Sequence, residues 1–377
     1  MSLRLAGLGW VTPLGATIAE VWEKLCAGGA AETTTFAASS GEKNFQAYLV
    51  PAAAIAEVAR HPRLRRSSAI SRFAVVAGLN ALRDAGLELD EASAARTALI
   101  FATSNGGVIY TRRFFHEIVK SGASAASPLL FPETVFNAPA SHLAAILGIT
   151  GASYTLVGDG AVGILALKMA EDLMANPELD RCLVVGAEEA DWLLCDAYRQ
   201  WRLLRAAPPI EPFARSPKGM ILSEGAGAVV LAREGTLALE RIHPGGNFAR
   251  RRELVRRLDA IARALKSEAA TDLLIASANG TFIDAAEGAV AARHFAAAAV
   301  YTPKPALGES GAAGALWQLI CAAQALRIQQ LPPLLHAPAN LGLTTARIPA
   351  GKPWQRAIVS ACGLNQQVAG LALRTPS

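Results

Sequence analysis

A tight turn between a short apolar strand and a helix is where the residue types in this sequence best suit chemistry. Residues 154–157 (Tyr-Thr-Leu-Val) favour a buried strand, whereas apolar residues recur at helical spacing after Gly160. The start of a buried helix has unpaired N–H groups and a partial positive charge, which favour a thiolate or an oxyanion. A nucleophile placed in such a turn would be activated, but this turn presents Gly160, which has no side chain.

Other reactive residue types each have a structural interpretation beside the chemical one. Asp159 is adjacent to Gly160 and could act as a general base, or it could be an aspartate that favours the turn at a helix start. His142 lies on an apolar helical segment and is interpreted as a packed or partner-facing side chain. Cys362 precedes Gly363 and is interpreted as a buried small hydrophobe. The five cysteines lack the spacing of a disulfide framework or a zinc site, so we predict neither a metal nor a bound cofactor. They are Cys26, Cys182, Cys195, Cys321 and Cys362.

The composition is that of a globular protein with a large core. The chain has 377 residues, of which 52% are apolar and 18% are charged. A chain of this length is expected to form two domains or two halves of one. It has no uninterrupted apolar run of about 18 residues, and its N-terminus runs directly into a strand-like segment. We therefore expect a cytoplasmic protein.

The net charge of +5 comes mostly from arginine clusters. The densest cluster consists of Arg250, Arg251, Arg252, Arg256 and Arg257. Because no nucleic-acid motif or interleaved aromatic residues accompany it, an acidic protein partner or a phosphorylated cofactor fits it better than a nucleic acid. A solvated helix face balanced by nearby acids is the alternative.

Two segments of the chain match each other. Residues 99–107 and 273–281 share an apolar pattern followed by Asn-Gly, and each follows a predicted amphipathic helix, over 71–85 and 256–266 respectively. Apolar strands at 228–232 and 369–373 would close the two halves. The match could arise by chance; if it reflects duplication, an α/β unit occurs twice, with a boundary near residues 234–240.

The order and spacing of motifs resemble a β-ketoacyl-(acyl carrier protein) synthase of type II fatty-acid and polyketide systems. This resemblance implies a duplicated thiolase-like fold with α/β/α/β/α layers and halves at residues 1–235 and 236–377. Its anchors include Gly7–Gly15, Ser104–Gly107, the 158–163 turn, Val185–Ala190, Ser223–Gly227, Lys304 and Gly311–Gly314.

The departures from the family pattern concern its catalytic residues. The family's cysteine and two histidines correspond here to Gly160, Asn279 and Glu309. No acyl-enzyme can then form at the turn, and a carboxylate at Glu309 would repel a developing enolate. Asp159 and Lys304 are the candidates for rescued catalysis, although a salt bridge from Lys304 to Glu287 or Asp284 is the structural interpretation.

Two further departures concern access to the site. Leu364 takes the place of the family's gating phenylalanine, and Phe136 is a second candidate to line an acyl channel. The family has a long segment over the pantetheine entrance. In this sequence it is reduced to residues 242–247, which we expect to form a surface cap, and to one basic helix.

The resemblance therefore predicts a non-condensing subunit, similar to a chain-length factor, that pairs with an active ketosynthase. Residues 137–147 and 154–157 would line the interface, and Arg250, Arg251, Arg252 and Arg256 would contact an acyl carrier protein. Phosphopantetheine would enter only as carried by that protein. One alternative is a thioester hydrolase or non-covalent acyl transferase that uses Glu309, Asp159 or Asn279. Another is a homodimeric protein that binds acyl carriers.

Overall fold

The computed structural model describes residues 3–37 and 44–376 of the chain. The strands are β1 (Arg4–Val11), β2 (Thr33–Ala37), β3 (Asn44–Tyr48), β4 (Thr97–Thr103), β5 (Ser153–Val157), β6 (Arg181–Glu188), β7 (Gly225–Ala232), β8 (Leu237–Asn247), β9 (Leu273–Ile275), β10 (Ala299–Tyr301), β11 (Arg356–Cys362) and β12 (Gln367–Arg374). The helices are α1 (Ile18–Cys26), α2 (Ala56–Ala59), α3 (Ala69–Asp84), α4 (Glu91–Ala95), α5 (Val108–Ser121), α6 (Ala138–Leu147), α7 (Val162–Leu173), α8 (Trp192–Gln200), α9 (Leu254–Leu265), α10 (Ile283–His294), α11 (Lys304–Leu307) and α12 (Gly311–Ile328).

Ten of these strands form one sheet whose two halves have the same topology. The strand order is β10-β9-β11-β12-β8-β1-β7-β6-β4-β5, and the halves meet where β1 pairs with β8. In each half, the three outermost strands pair in parallel, and the remaining strand pairs are antiparallel. The two segments that match in sequence are β4 and β9 with their following loops, which occupy equivalent places. The chain therefore contains one α/β unit twice.

Helices separate and cover the two halves of the sheet. The central helices α7 and α12 each contact strands of both halves, while α3 and α6 cover the first half and α9 covers the second. The apolar core of the second half also includes residues of α10. The central helices approach closely because Gly163 faces the backbone of Ala312, where a Cβ would lie 2.9 Å from the carbonyl oxygen. The layers run helix, sheet, helix, sheet, helix, which confirms the predicted architecture.

The passage between the halves lies between Ala232, the end of β7, and Leu237, the start of β8. We propose residues 1–235 and 236–377 as the two structural halves. No helix among residues 3–37 and 44–376 is long and apolar enough to cross a membrane.

One local prediction is wrong. Residues 242–247, expected as a surface cap, are the last part of β8 and pair with β12 in the middle of the sheet. The Pro-Gly-Gly sequence signalled a turn, but here it makes a register shift within the strand. Gly245 has a positive φ of 69°, and a Cβ there would overlap the carbonyl of Val368, so only glycine fits this irregularity.

Candidate active site

A small cavity opens where the turn after β5 meets the loop between β11 and β12. Its empty volume is about 430 Å³, including its open mouth. The turn contributes Gly160, the segment before α12 contributes Glu309, and the loop contributes Leu364. The remaining lining residues are Ser104, Asn105, Asp159, Glu188, Glu189, Ala190, Leu194, Tyr198, Leu222, Ser223, Ser310, Gly311 and Gly363. The structure thus brings together residues predicted from three distant parts of the chain.

Gly160 lies at the position from which a nucleophile would face this cavity. It follows β5, and Val162 N–H donates to the Asp159 carbonyl at 2.8 Å as α7 begins. A Cβ on Gly160 would lie only 3.1 Å from the Cα of Gly363. Any side chain at residue 160 would therefore press against the loop that covers the turn.

Asn279 and Glu309, which the resemblance aligns with the family's histidines, are joined by a hydrogen bond. Asn279 Nδ2 donates to Glu309 Oε2 at 2.7 Å, and Lys304 Nζ donates to Glu309 Oε1 at 2.6 Å. Thr281 Oγ1 in turn donates to Asn279 Oδ1 at 2.6 Å. All four side chains are buried. Both oxygens of Glu309 are thus engaged, and the adjacent ammonium balances its charge.

The expected salt bridge from Lys304 to Glu287 or Asp284 is wrong, because Lys304 pairs with Glu309. Asp284 instead accepts hydrogen bonds from the backbone of Asn279, Gly280 and Phe213, at 2.7–2.9 Å. Glu287 accepts from Ser277 N–H and Ser360 Oγ. Burial raises the pKa of Asp284 to about 6 and that of Glu287 to about 7. Both carboxyl groups hold loops and strand ends together.

Asp159 makes contacts that neither interpretation of the sequence included. Its Oδ2 accepts from the N–H of Asn365 at 2.7 Å and from that of Gln367 at 3.3 Å. Burial raises the pKa of this carboxyl group, and the backbone hydrogen bonds partly oppose the rise. Asp159 therefore connects the turn to the covering loop.

Sequence reasoning missed a set of buried acids on the other wall of the cavity. Glu188 accepts from the backbone of Ser104 and Asn105, and burial raises its pKa to about 7. Burial, with Glu224 and Asp191 nearby, raises the pKa of Glu189 to about 8. The signal was present in the sequence, because consecutive glutamates follow the apolar run of β6, at an end of the strand where ligands often bind.

The hydroxyl groups at the cavity do not form an activated nucleophile among the described residues. Ser104 Oγ and Ser310 Oγ are buried without a hydrogen-bond partner there. Burial raises the pKa of Tyr198. A serine nucleophile must donate to a base that is free to accept its proton, and Glu188, the carboxyl group beside Ser104, accepts from the backbone of Ser104 and Asn105.

The remaining predicted residues lie at or outside this cavity. Leu364 lines it, whereas Phe136 does not; Phe136 is half-exposed, and its ring lies against Gly106, where a Cβ would overlap it. His142 Nε2 lies 2.6 Å from Glu133 Oε1 on the other side of the turn. Cys362 is buried, and this burial raises the pKa of its thiol.

The arginine cluster lies apart from these groups. Arg250, Arg251, Arg252, Arg256 and Arg257 are exposed just before and within α9. Arg251 also stacks on the ring of Phe282, at 4.3 Å from its centroid.

Comparison with known proteins places this geometry in a family. The chain is 25% identical over 235 residues to "3-oxoacyl-[acyl-carrier-protein] synthase 2" of Vibrio cholerae, a match that covers 60% of this chain and 56% of that protein. It is 30% identical over 193 residues to "Polyketide biosynthesis malonyl-ACP decarboxylase PksF" of Bacillus subtilis, covering 48% of this chain and 45% of that protein. The matches thus span about half the length of these curated relatives.

A solved structure agrees over the whole chain. "The ishigamide ketosynthase/chain length factor" superposes with a TM-score of 0.85 at 20% identity and covers 100% of this chain and 99% of that one. At this identity the likeness shows the fold, and the fold is that of the thiolase-like ketosynthases. The family model "Beta-ketoacyl synthase, N-terminal domain" matches residues 4–236, so the chain belongs to the β-ketoacyl synthase family.

Proposed function

We propose that this chain is a non-condensing ketosynthase-like subunit, similar to a chain-length factor, that pairs with an active ketosynthase. The observation that carries this proposal is which residues are found at the cavity. Gly160 and Glu309, which the resemblance aligns with the family's cysteine and second histidine, line it, and Asn279, which the resemblance aligns with the first histidine, donates a hydrogen bond to Glu309. Covalent acyl transfer needs an activated thiol or hydroxyl at residue 160, and glycine has neither.

The buried ion pair argues against substituted chemistry at the same place. An enolate formed by decarboxylation needs hydrogen-bond donors that face it and are free to bind it. The Lys304 ammonium and the Asn279 amide both donate to Glu309 already. The Glu309 carboxylate bonded to both donors would repel an enolate that approached them, because both groups are negatively charged. The hydrolase and acyl-transferase alternatives meet the same obstacle.

The surface around β5 supports pairing with another subunit. Eight of the twelve large apolar side chains that the described structure exposes lie between residues 115 and 157. They are Phe115, Val119, Leu129, Phe131, Val135, Phe136, Tyr154 and Val157. In addition, β5 is an edge strand of the sheet. An exposed apolar face beside an open strand edge is typical of an interaction site. We name these eight residues the pairing face.

Within such a pair, this chain would contribute shape to its partner. Phe136 projects from the pairing face and is the candidate to line the partner's acyl channel. The exposed cluster of Arg250, Arg251, Arg252 and Arg256 would attract an acidic acyl carrier protein bearing phosphopantetheine. A homodimer would use the same face, so the identity of the partner has to be tested.

Co-expression with an intact type II ketosynthase tests the proposal. The wild-type chain should co-purify with it in a 1:1 complex, and Val157→Arg should abolish the complex because it places a charge on the pairing face. Ile348→Arg is the matched control, since Ile348 is also exposed but lies outside this face. Retention of the complex by Val157→Arg, or exclusive formation of homodimers, would contradict the proposal.

Thioester substrates test the alternatives. The isolated chain should show no acyl adduct by intact-protein mass spectrometry and no release of carbon dioxide from a malonyl carrier-protein thioester. Turnover that is lost in Glu309→Gln would instead support an enzyme of altered chemistry.

A further inference from the structure

Residues 363–367, which include the first residue of β12, are here called the 363–367 loop; this loop covers Gly160 and closes the cavity from one side. It connects β11 to β12, and its own turn is fixed by the hydrogen bond from Gly363 N–H to the Gln367 carbonyl at 2.8 Å. Leu364 turns inward to line the cavity. A shift of this loop would therefore change both the size of the cavity and access to Gly160.

A single carboxylate attaches this loop to the turn. Asp159, which lies in the turn, accepts from the N–H groups of Asn365 and Gln367 in the loop. N–H groups that converge in this way form a binding site for an anion. Here the anion is the Asp159 carboxylate of the chain itself, about 200 residues before the loop in the sequence.

The packing around the carboxylate leaves no room for a second occupant. A Cβ on Gly363 would overlap the Asp159 carboxylate, so the loop lies directly against it. The next turn of the loop has a strained residue, Gln366, with a φ of 81°. Such a conformation persists only where surrounding contacts hold it, and the two hydrogen bonds to Asp159 flank this residue.

We propose that Asp159 is a built-in anion that fills the amide site at the turn, holds the 363–367 loop closed and keeps acyl thioesters out of this chain's own cavity. Only the last step, exclusion of the acyl group, rests on the proposed function. The attachment of the loop is a property of the isolated chain, so it can be tested without a partner.

Alkylation of Cys362 measures the attachment directly. This buried thiol immediately precedes the loop, and release of the loop would expose it. We expect Asp159→Asn, which replaces the charged acceptor with a weaker neutral one, to raise the rate of iodoacetamide labelling at Cys362 at least tenfold, as followed by peptide mass spectrometry. Asp172→Asn is the matched control, because Asp172 is an exposed carboxylate near the end of α7, the helix that begins after the turn, and it pairs with Lys168.

The buried thiols Cys182 and Cys321 distinguish release of the loop from general unfolding. Their labelling should stay unchanged in Asp159→Asn; equal acceleration at all three sites would mean that the variant has lost its fold. In that case hydrogen exchange of the 360–370 peptide in Asp159→Glu, which keeps the charge, provides the second measurement. Wild-type protection in that variant, despite a displaced carboxylate, would overturn the proposal.

Ligand binding tests the last step. Hexanoyl-pantetheine should bind Asp159→Asn measurably by saturation-transfer NMR, but not the wild-type chain or Asp172→Asn. Unchanged labelling of Cys362 in folded Asp159→Asn overturns the attachment, whereas faster labelling without hexanoyl-pantetheine binding overturns the exclusion. Neither result depends on complex formation with a ketosynthase, so failure here is distinct from failure of the proposed function.

Discussion

Removal of one member of the Lys304–Glu309 pair should destabilise this protein much more than removal of both. The two charged atoms lie 2.6 Å apart, and the side chains are only 4% and 8% exposed. At an effective dielectric constant near 20, unit charges at this distance attract each other by roughly 6 kcal/mol. Desolvation of each ion costs several kcal/mol, so the intact pair makes a small net contribution, whereas a single remaining charge is strongly unfavourable.

These magnitudes define a double-mutant cycle. We expect Lys304→Met and Glu309→Gln each to lower the free energy of unfolding by about 3–5 kcal/mol. The double variant should lose about 2 kcal/mol, since neither charge remains. The coupling energy would then be at least about 4 kcal/mol. Urea denaturation, monitored by the fluorescence of the buried Trp10 and Trp317 at fixed protein concentration, measures all four species.

A surface pair with the same geometry provides the control. Lys24 Nζ and Glu20 Oε1 are also 2.6 Å apart, but the side chains are 45% and 50% exposed. Their cycle should give a coupling energy below about 1 kcal/mol, because water screens exposed charges. Equal coupling in the two cycles, or additive effects of Lys304→Met and Glu309→Gln, would refute the reasoning that burial makes the central pair special.

Two further predictions follow from the same region. Gly363→Ala should lower the free energy of unfolding by about 1–3 kcal/mol, because its Cβ overlaps the Asp159 carboxylate. Gly246→Ala, whose Cβ would have its nearest atom at 3.8 Å, should lower it less. Thermal unfolding measures both variants, and combining Gly363→Ala with Asp159→Ala should recover part of the stability that Gly363→Ala loses. The pKa of Glu189 is raised to about 8, which means that the folded state favours the protonated acid. The contribution of Glu189 to the free energy of unfolding is therefore fully present below the ordinary pKa of 4.5 and is lost as the pH rises towards 8. Glu189→Gln should therefore reduce the fall in unfolding free energy between pH 5 and pH 8 by at least about 1 kcal/mol, and a steeper fall in this variant would contradict the assignment.

Features set by local sequence pattern were predictable. The cap of α1 follows from Thr17, whose hydroxyl accepts from Glu20 N–H as expected. The turn at Gly160 follows from the change between strand and helix periodicity, and the equivalence of β4 and β9 follows from their matching sequences. Each of these inferences needs only neighbouring residues or a repeated pattern, so no knowledge of the packing was necessary.

Features set by the packing of segments against one another were not predictable. The partner of Lys304 depends on how α11 approaches the start of α12, and a carboxylate five residues away displaced the two expected acids. The contacts of Asp159 cross about 200 residues and exist because β5 and β11 bring their loops together. Similarly, the end of β8 looked like a turn, since pairing with β12 accommodates a Pro-Gly-Gly sequence that alone would favour a bend.

Carboxyl groups at the centre of this molecule hold its own segments together. Glu188 binds the loop after β4, Asp284 binds the loop after β9, and Asp159 binds the loop after β11. A catalytic site requires donors and acceptors that are prepared for a transition state and left free until it forms. Both oxygens of Glu309 accept hydrogen bonds, from Asn279 and from Lys304, so these three side chains hold segments of the second half together. Under the proposed function, this chain would act on an acyl substrate through surface shape, on the pairing face, where the described structure leaves eight large apolar side chains exposed.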